Sequence, residues 1–127
     1  MPEVQVVFYM EDNGSVPMCK WLDKQSDAGQ DRCIDRLKRL RNQGHELRRP
    51  IAAPLRDGIY ELRAREKKFR LRMLFFFYGR KRVVVTHGLI KKTSEVPSID
   101  IDRAIEKKKR YEQEAETHTF YWEPDNE

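Results

Sequence analysis

Four arginines in two closely spaced pairs, Arg63 with Arg65 and Arg70 with Arg72, are the residues of this chain best suited to chemistry. A guanidinium is planar and always charged, and its fork meets two phosphate oxygens at once. Side chains alternate across a β-strand, so a spacing of two puts each pair on one face. In the run from Ile59 to Arg65, Tyr60, Leu62 and Ala64 share one face, and Ile59, Glu61, Arg63 and Arg65 share the other. In the run from Phe69 to Tyr78, Phe69, Leu71, Met73, Phe75 and Phe77 face one way, while Arg70, Arg72, Leu74, Phe76 and Tyr78 face the other. A hairpin between the runs gathers the four arginines. Like charges facing each other across strands repel, so such a cluster suits a fold with an anionic ligand to neutralise it. The bland alternative is that the arginines flank the sheet and pair with Glu61, Glu66 and acids on the helices.

A third apolar run, Arg82 to Ile90, carries His87 and then Lys91 and Lys92. Histidine trades a proton near neutral pH, and lysines at a strand end hold phosphate as point charges. A lone strand histidine is equally at home as a hydrogen-bonded structural residue. His45, in a Pro-containing loop, and His118, near the C-terminus, have weaker claims. Cys19 and Cys33 lie 14 apart, with no CxxC pattern and no paired histidines, so neither a metal, another cofactor nor a disulfide is expected.

The elements that must position these groups follow from periodicity. Val4 to Tyr9 is β-branched and aromatic and predicts a strand. A turn at Asp12-Asn13-Gly14-Ser15 precedes a helical hairpin from Val16 to about Gln43, with Ser15 or Asp12 as its cap, a break at Asp27-Ala28-Gly29 and a stop at Gly44. His45 to Asp57, with Pro50 and Pro54, predicts a connecting loop. Three strands follow, joined at Glu66-Lys67-Lys68 and Gly79-Arg80-Lys81. Pro97 then introduces a helix from Ser98 to about Glu116. The order predicts an α+β fold, with helices on one face of a mainly antiparallel sheet and the other face open to water or a ligand. Residues 1–116 form the expected domain, and 117–127 a tail that is either disordered or, because Phe120, Tyr121 and Trp122 would be wasted in solvent, docked on the body or on a partner, with nothing in the sequence to choose between them.

The chain has 127 residues, Lys and Arg numbering 26 against 21 Asp and Glu, for a net charge of +5. That total conceals an asymmetry. Residues 32–92 hold 19 Lys/Arg and 5 Asp/Glu, a surplus of +14, against −9 for the remainder. A basic middle between acidic flanks points to a polyanionic partner. No apolar run approaches the roughly 20 residues needed to cross a bilayer, and the N-terminus lacks a signal-peptide pattern. Reduced thiols and these features predict a cytoplasmic protein without membrane contact.

The stretch from Leu55 to Pro97 resembles the RelE/ParE toxin superfamily and, within it, the HigB-like, phage-derived branch. The matching pieces are Leu55, Gly58-Ile59-Tyr60-Glu61-Leu62-Arg63, Phe69-Arg70-Leu71-Arg72, His87-Gly88-Leu89-Ile90-Lys91-Lys92-Thr93, Pro97 and Ile101-Asp102-Arg103-Ala104. The resemblance extends over about residues 3–112 and implies the toxin half of a type II toxin–antitoxin system. It implies a ribosome-dependent endonuclease that cuts mRNA without metal, by attack of a ribose 2′-hydroxyl on the adjacent phosphate. The implied partners are mRNA on the ribosome and a cognate antitoxin, expected to be a helix-turn-helix protein.

Carried onto this sequence, the resemblance gives Arg70, Arg63, His87 and Lys91 as catalytic candidates, and Arg65, Arg72, Lys92 and Tyr60 as substrate-binding candidates. No residue matches the C-terminal tyrosine of RelE-like members unless Tyr111 or Tyr121 reaches the site, and His87 is the stand-in for the general base. Two readings of another kind stay open: a ParE-like inhibitor of gyrase on the same fold, and a nucleic-acid-binding module that does not cleave. A scaffold for a protein partner alone is the third.

Overall fold

The computed structural model describes residues 2–124. Gln5–Tyr9 forms β1, Pro17–Asp23 α1, Asp27–Gln43 α2, Ala52–Pro54 β2, Tyr60–Glu66 β3, Phe69–Tyr78 β4, Arg82–Lys91 β5, Ser98–Gln113 α3 and Thr119–Tyr121 β6. The strands make one six-stranded sheet in the order β2-β3-β4-β5-β1-β6. Only β1 and β5 run parallel; every other neighbour is antiparallel.

The two hairpins set the register. Lys67-Lys68 connect β3 to β4, Lys67 taking the left-handed φ of 57° that closes so short a turn. Gly79, at φ 66°, opens the β4–β5 turn. The helical hairpin breaks slightly earlier than its sequence suggested. Ser26, not the Asp27-Ala28-Gly29 segment, interrupts it, and the Ser26 hydroxyl caps α2 by accepting from the Gly29 amide at 3.0 Å. Neither Ser15 nor Asp12 caps α1, which starts instead with Pro17 in its first turn, where a missing N–H costs nothing. Gly44 ends α2 as expected, its φ of 52° and the approach of the Pro2 carbonyl leaving no room for a Cβ.

Each face of the sheet has its own core. On one, Val6, Phe8, Leu62, Leu71, Met73, Phe75, Val83 and Val85 pack against Met18, Leu22, Leu37 and Leu40 of α1 and α2. On the other, Val7, Tyr9, Leu74, Phe76 and Val84 pack against Ile101, Ala104 and Tyr111 of α3. The helices therefore lie on both faces, correcting the expectation of one covered and one open face. The α3 helix has an apolar stripe of its own, and the face left vacant by the helical hairpin is where it can be buried. It packs on β4 and β5, so only part of that face remains uncovered.

Two short strands escaped the sequence reading. β2 lies within the segment expected to be a loop and pairs Ala52 with Leu62. The described part of the tail packs on the body, residues 125–127 lying outside the described residues: β6 pairs with β1, Phe120 and Trp122 stack on Phe8 at 6.1 and 5.8 Å between ring centroids, and buried His118 stacks on Tyr9. No helix among the described residues is long and apolar enough to cross a membrane.

Candidate nucleic-acid interface

The register of β3, β4 and β5 brings five cations together. Arg63 faces Arg72, Arg65 faces Arg70, and Arg70 faces Lys91 on the next strand. All five share the sheet face that α3 partly covers. Lys91 is there because of a one-residue bulge. Phe75 pairs with Val85 but Leu74 pairs with His87, so Thr86 is the extra residue. An added residue inverts the alternation beyond it. Val83 and Val85 point toward α1 and α2, whereas His87, Leu89 and Lys91 point the other way. Strict alternation from Val83 would have sent Lys91 to the wrong face. Thr86 stabilises the kink by donating its hydroxyl to the Leu74 carbonyl at 3.3 Å.

A single buried carboxylate organises the cluster. Glu61, 5% exposed, lies 3.0 Å from Arg63 Nη2 and 3.0 Å from Arg72 Nε. The first contact is a directed hydrogen bond. The second is an ion pair whose angle is not that of a hydrogen bond, so Arg72 Nε and Glu61 Oε1 are left, with Arg63 Nε, as buried polar atoms without a hydrogen-bond partner. Arg72 Nε and Glu61 Oε1 face each other at 3.0 Å and are held by charge, so Arg63 Nε is the buried polar atom left for water or a ligand to satisfy. Arg72 also donates to the Leu71 carbonyl, and Arg36 of α2 braces the edge by donating to the Arg63 carbonyl at 3.0 Å.

Arg65 is exposed and Arg70 half-buried, and neither side chain has an ion pair or hydrogen bond with any described residue. Glu61 thus pairs with two of the five cations, Lys91 donates to the Ser94 carbonyl at 3.2 Å, and Arg65 and Arg70 carry the surplus charge. Loss of hydration pushes the Lys91 ammonium below its usual pKa, and repulsion from Arg72, Arg70 and Arg63 pushes it the same way against the pull of Glu61. Arg72 is likewise lowered, first by desolvation, but a guanidinium stays charged. Two open clefts meet at Arg63. One, of about 350 Å³, lies among Arg36, Pro50, Arg63, Arg65, Arg70 and Arg72. The other, of about 400 Å³, lies among Arg49, Glu61, Arg63, Lys91 and the Ser94–Val96 turn.

The remaining candidates lie elsewhere. His87 is on the same face but under α3, with Nε2 at 3.1 Å from Asp100 Oδ1 and Nδ1 at 3.0 Å from the Thr86 hydroxyl. It is four residues from Lys91, roughly 13 Å along the strand. Tyr60 is on the opposite face, stacked on Phe75 and edge-on to Phe77. Lys92 is exposed just beyond the end of β5. Tyr111 is fully buried, its hydroxyl shared with Arg82 and Thr119, and Tyr121 is on the far edge strand, so neither reaches the arginines. The pairing weighed as the bland alternative is present in part: Glu61 pairs with Arg63 and Arg72, while among the described residues Glu66 and the helix acids pair with none of the four arginines. The position of Glu61 opposite Leu74, on the arginine face, was the available signal.

Gly88, inside the His87–Thr93 stretch, has a packing role. A Cβ there would fall 2.3 Å from the Trp21 ring.

Comparison with curated proteins finds no match. The family model described as Phage derived protein Gp49-like (DUF891) matches residues 20–109, a span that takes in the end of α1, all of α2, all five clustered cations and most of α3. With that span matched, the chain belongs to the Gp49-like phage-derived family, a RelE/toxin-like family.

Proposed function

We propose that this chain is the toxin of a type II toxin–antitoxin system and acts as a HigB-like, ribosome-dependent mRNA endonuclease. The observation that carries the reading is the arginine face: five cations in register around one carboxylate, with Arg65 and Arg70 free to take a ligand. Family membership supports the toxin half of the proposal.

The reaction asks for little else. The ribose 2′-oxygen attacks the adjacent phosphorus, the bond from phosphorus to the 5′-oxygen breaks, and a 2′,3′-cyclic phosphate and a 5′-hydroxyl remain. The phosphorane gains negative charge, and fixed guanidinium groups stabilise it without reorganising. Arg65 and Arg70 grip the scissile phosphate. Glu61 fixes Arg63 and Arg72 behind them, as a positioning residue. Lys91, its ammonium made more acidic by lost hydration and then by the nearby arginines, gives a proton to the leaving 5′-oxygen. His87, bound to Asp100 and remote from the cluster, has no part in this scheme. The proton of the attacking hydroxyl goes to solvent or to a group of the ribosome. The acidic partner that silences such a basic face is the antitoxin.

The test is purified protein added to translating ribosomes, with message 5′ ends mapped. New ends are expected from wild type. Arg70→Ala, folded by circular dichroism, is expected to lose about 10²-fold or more in cutting, the usual worth of one donor aimed at developing charge. Intact message with folded wild-type protein would sink the nuclease reading.

A further inference from the structure

Around the edge of β2 from the arginine cluster lies a third cleft, of about 420 Å³, lined by His45, Arg48, Arg49, Pro54 and Tyr60 over a small apolar floor. Its lining holds two arginines and a histidine and not one carboxylate. Arg48 and Arg49 are exposed, and neither side chain has an ion pair or hydrogen bond with a described residue. Beside them stands a wall of rings. His45 stacks on Phe77 at 3.8 Å, Phe77 meets Tyr60 edge-on at 5.3 Å, and Tyr60 stacks on Phe75 at 5.4 Å. Arg49 and Pro54 line this cleft and also the cleft that holds Glu61, Arg63 and Lys91. The two thus adjoin at Arg49 and Pro54, on either side of edge strand β2.

We infer that this cleft is a nucleotide subsite, holding a nucleotide of single-stranded RNA that flanks the cleaved linkage, with the phosphate on Arg48 and the base against Tyr60 and Pro54. The inference rests on the nuclease reading and deepens it. Single-stranded nucleic acid is held by cations tracking its backbone and by rings on which its bases stack, and both are present here. An acidic peptide would use the arginines but has no need of the ring wall, and adjacency to the phosphate cluster favours one chain of RNA through both clefts. The subsite also accounts for Tyr60. It lies on the face opposite the arginines and reaches the substrate only if the RNA bends around β2.

Two probes decide it: a fluorescent RNA heptamer, 2′-O-methylated throughout so that it cannot be cut, and a 2′-O-methyl dinucleotide followed by NMR titration. Arg48→Ala is expected to weaken the heptamer and to lower the slope of log affinity against log salt by about 0.7, one single-strand phosphate contact. It should leave the dinucleotide unchanged. Tyr60→Leu is expected to weaken the heptamer about fivefold or more through lost stacking. Because Arg48 is exposed, its variant stays informative if Tyr60→Leu fails to fold. Heptamer affinity and salt slope unchanged in Arg48→Ala would overturn the subsite, as would an equal loss on the dinucleotide. So would Arg48-dependent binding of a polyglutamate peptide without heptamer binding. Arg70→Ala separates the two claims. If it abolishes dinucleotide binding while Arg48→Ala leaves the heptamer untouched, the arginine face stands and only the subsite falls.

Discussion

The face of β4 and β5 opposite the helical hairpin divides into two halves that the same strands build in different ways. Toward Phe76 and Val84 it is apolar and roofed by α3, and His87, Tyr78 and Arg82 are each held against that roof, His87 by Asp100 and the other two by Tyr111. Toward Arg70 and Lys91 it is cationic and unroofed, with Glu61 paired to Arg63 and Arg72 and no carboxylate on Arg65 or Arg70 among the described residues. A protein selected for stability alone would extend the roof. The open half gives up apolar burial and accepts repulsion among like charges, which is the pattern of a face shaped by a ligand.

The sharpest way to break this comparison is to cut into each half and compare stability. Phe76, fully buried beneath α3 and edge-on to Tyr111, should cost about 3–5 kcal/mol when replaced by alanine. The Arg65→Ala/Arg70→Ala double variant should change stability by no more than about 0.5 kcal/mol, since neither side chain has an ion pair or hydrogen bond among the described residues. Urea unfolding of the two proteins checks it. A double variant as unstable as Phe76→Ala would mean that the arginines serve the fold.

Glu61→Gln tests how the open half is held together. Gln keeps an acceptor oxygen for Arg63 but removes the carboxylate that, alone among the described residues, pairs with Arg63 and Arg72. The expected loss is about 1.5–3 kcal/mol. Part of it should return in 1 M salt, where charges are screened beyond about 3 Å. Unchanged stability at low salt would show that the arginines tolerate one another without it.

The two halves were also unequally legible. Period-two alternation and short hairpins are local rules, so the facing of Arg63 with Arg72 and of Arg65 with Arg70 could be read from spacing. Lys91 could not be placed that way, because its direction depends on the Thr86 bulge. Nor could the roof. An amphipathic helix shows that it buries a stripe, but not against which side of a sheet, and the parallel pairing of β1 with β5 is a non-local choice. β2 was hidden by its length and its prolines. His87 was ambiguous because its partner, Asp100, belongs to the helix whose side was unknown.

His87 offers the smallest and most specific test of the roofed half. Burial pushes its pKa below the usual 6.5, the neighbouring Lys107 and Arg103 push the same way, and the hydrogen bond and charge of Asp100 only partly offset them. The folded protein therefore resists protonating this ring more than the unfolded chain does. Below pH 6.5 the unfolded state takes up a proton that the native state refuses, so this contribution to stability is present above that pH and is lost as pH falls toward the lower folded pKa. His87→Gln keeps polar groups near Asp100 and Thr86 but removes the titration. Melting temperatures between pH 7.5 and 5 should fall more for wild type than for His87→Gln, and the variant should still cut RNA at close to the wild-type rate at pH 7.5. Parallel melting curves would mean that His87 titrates alike in both states, and a large loss of cutting would return this histidine to the chemistry and unite the two halves of the face in one site.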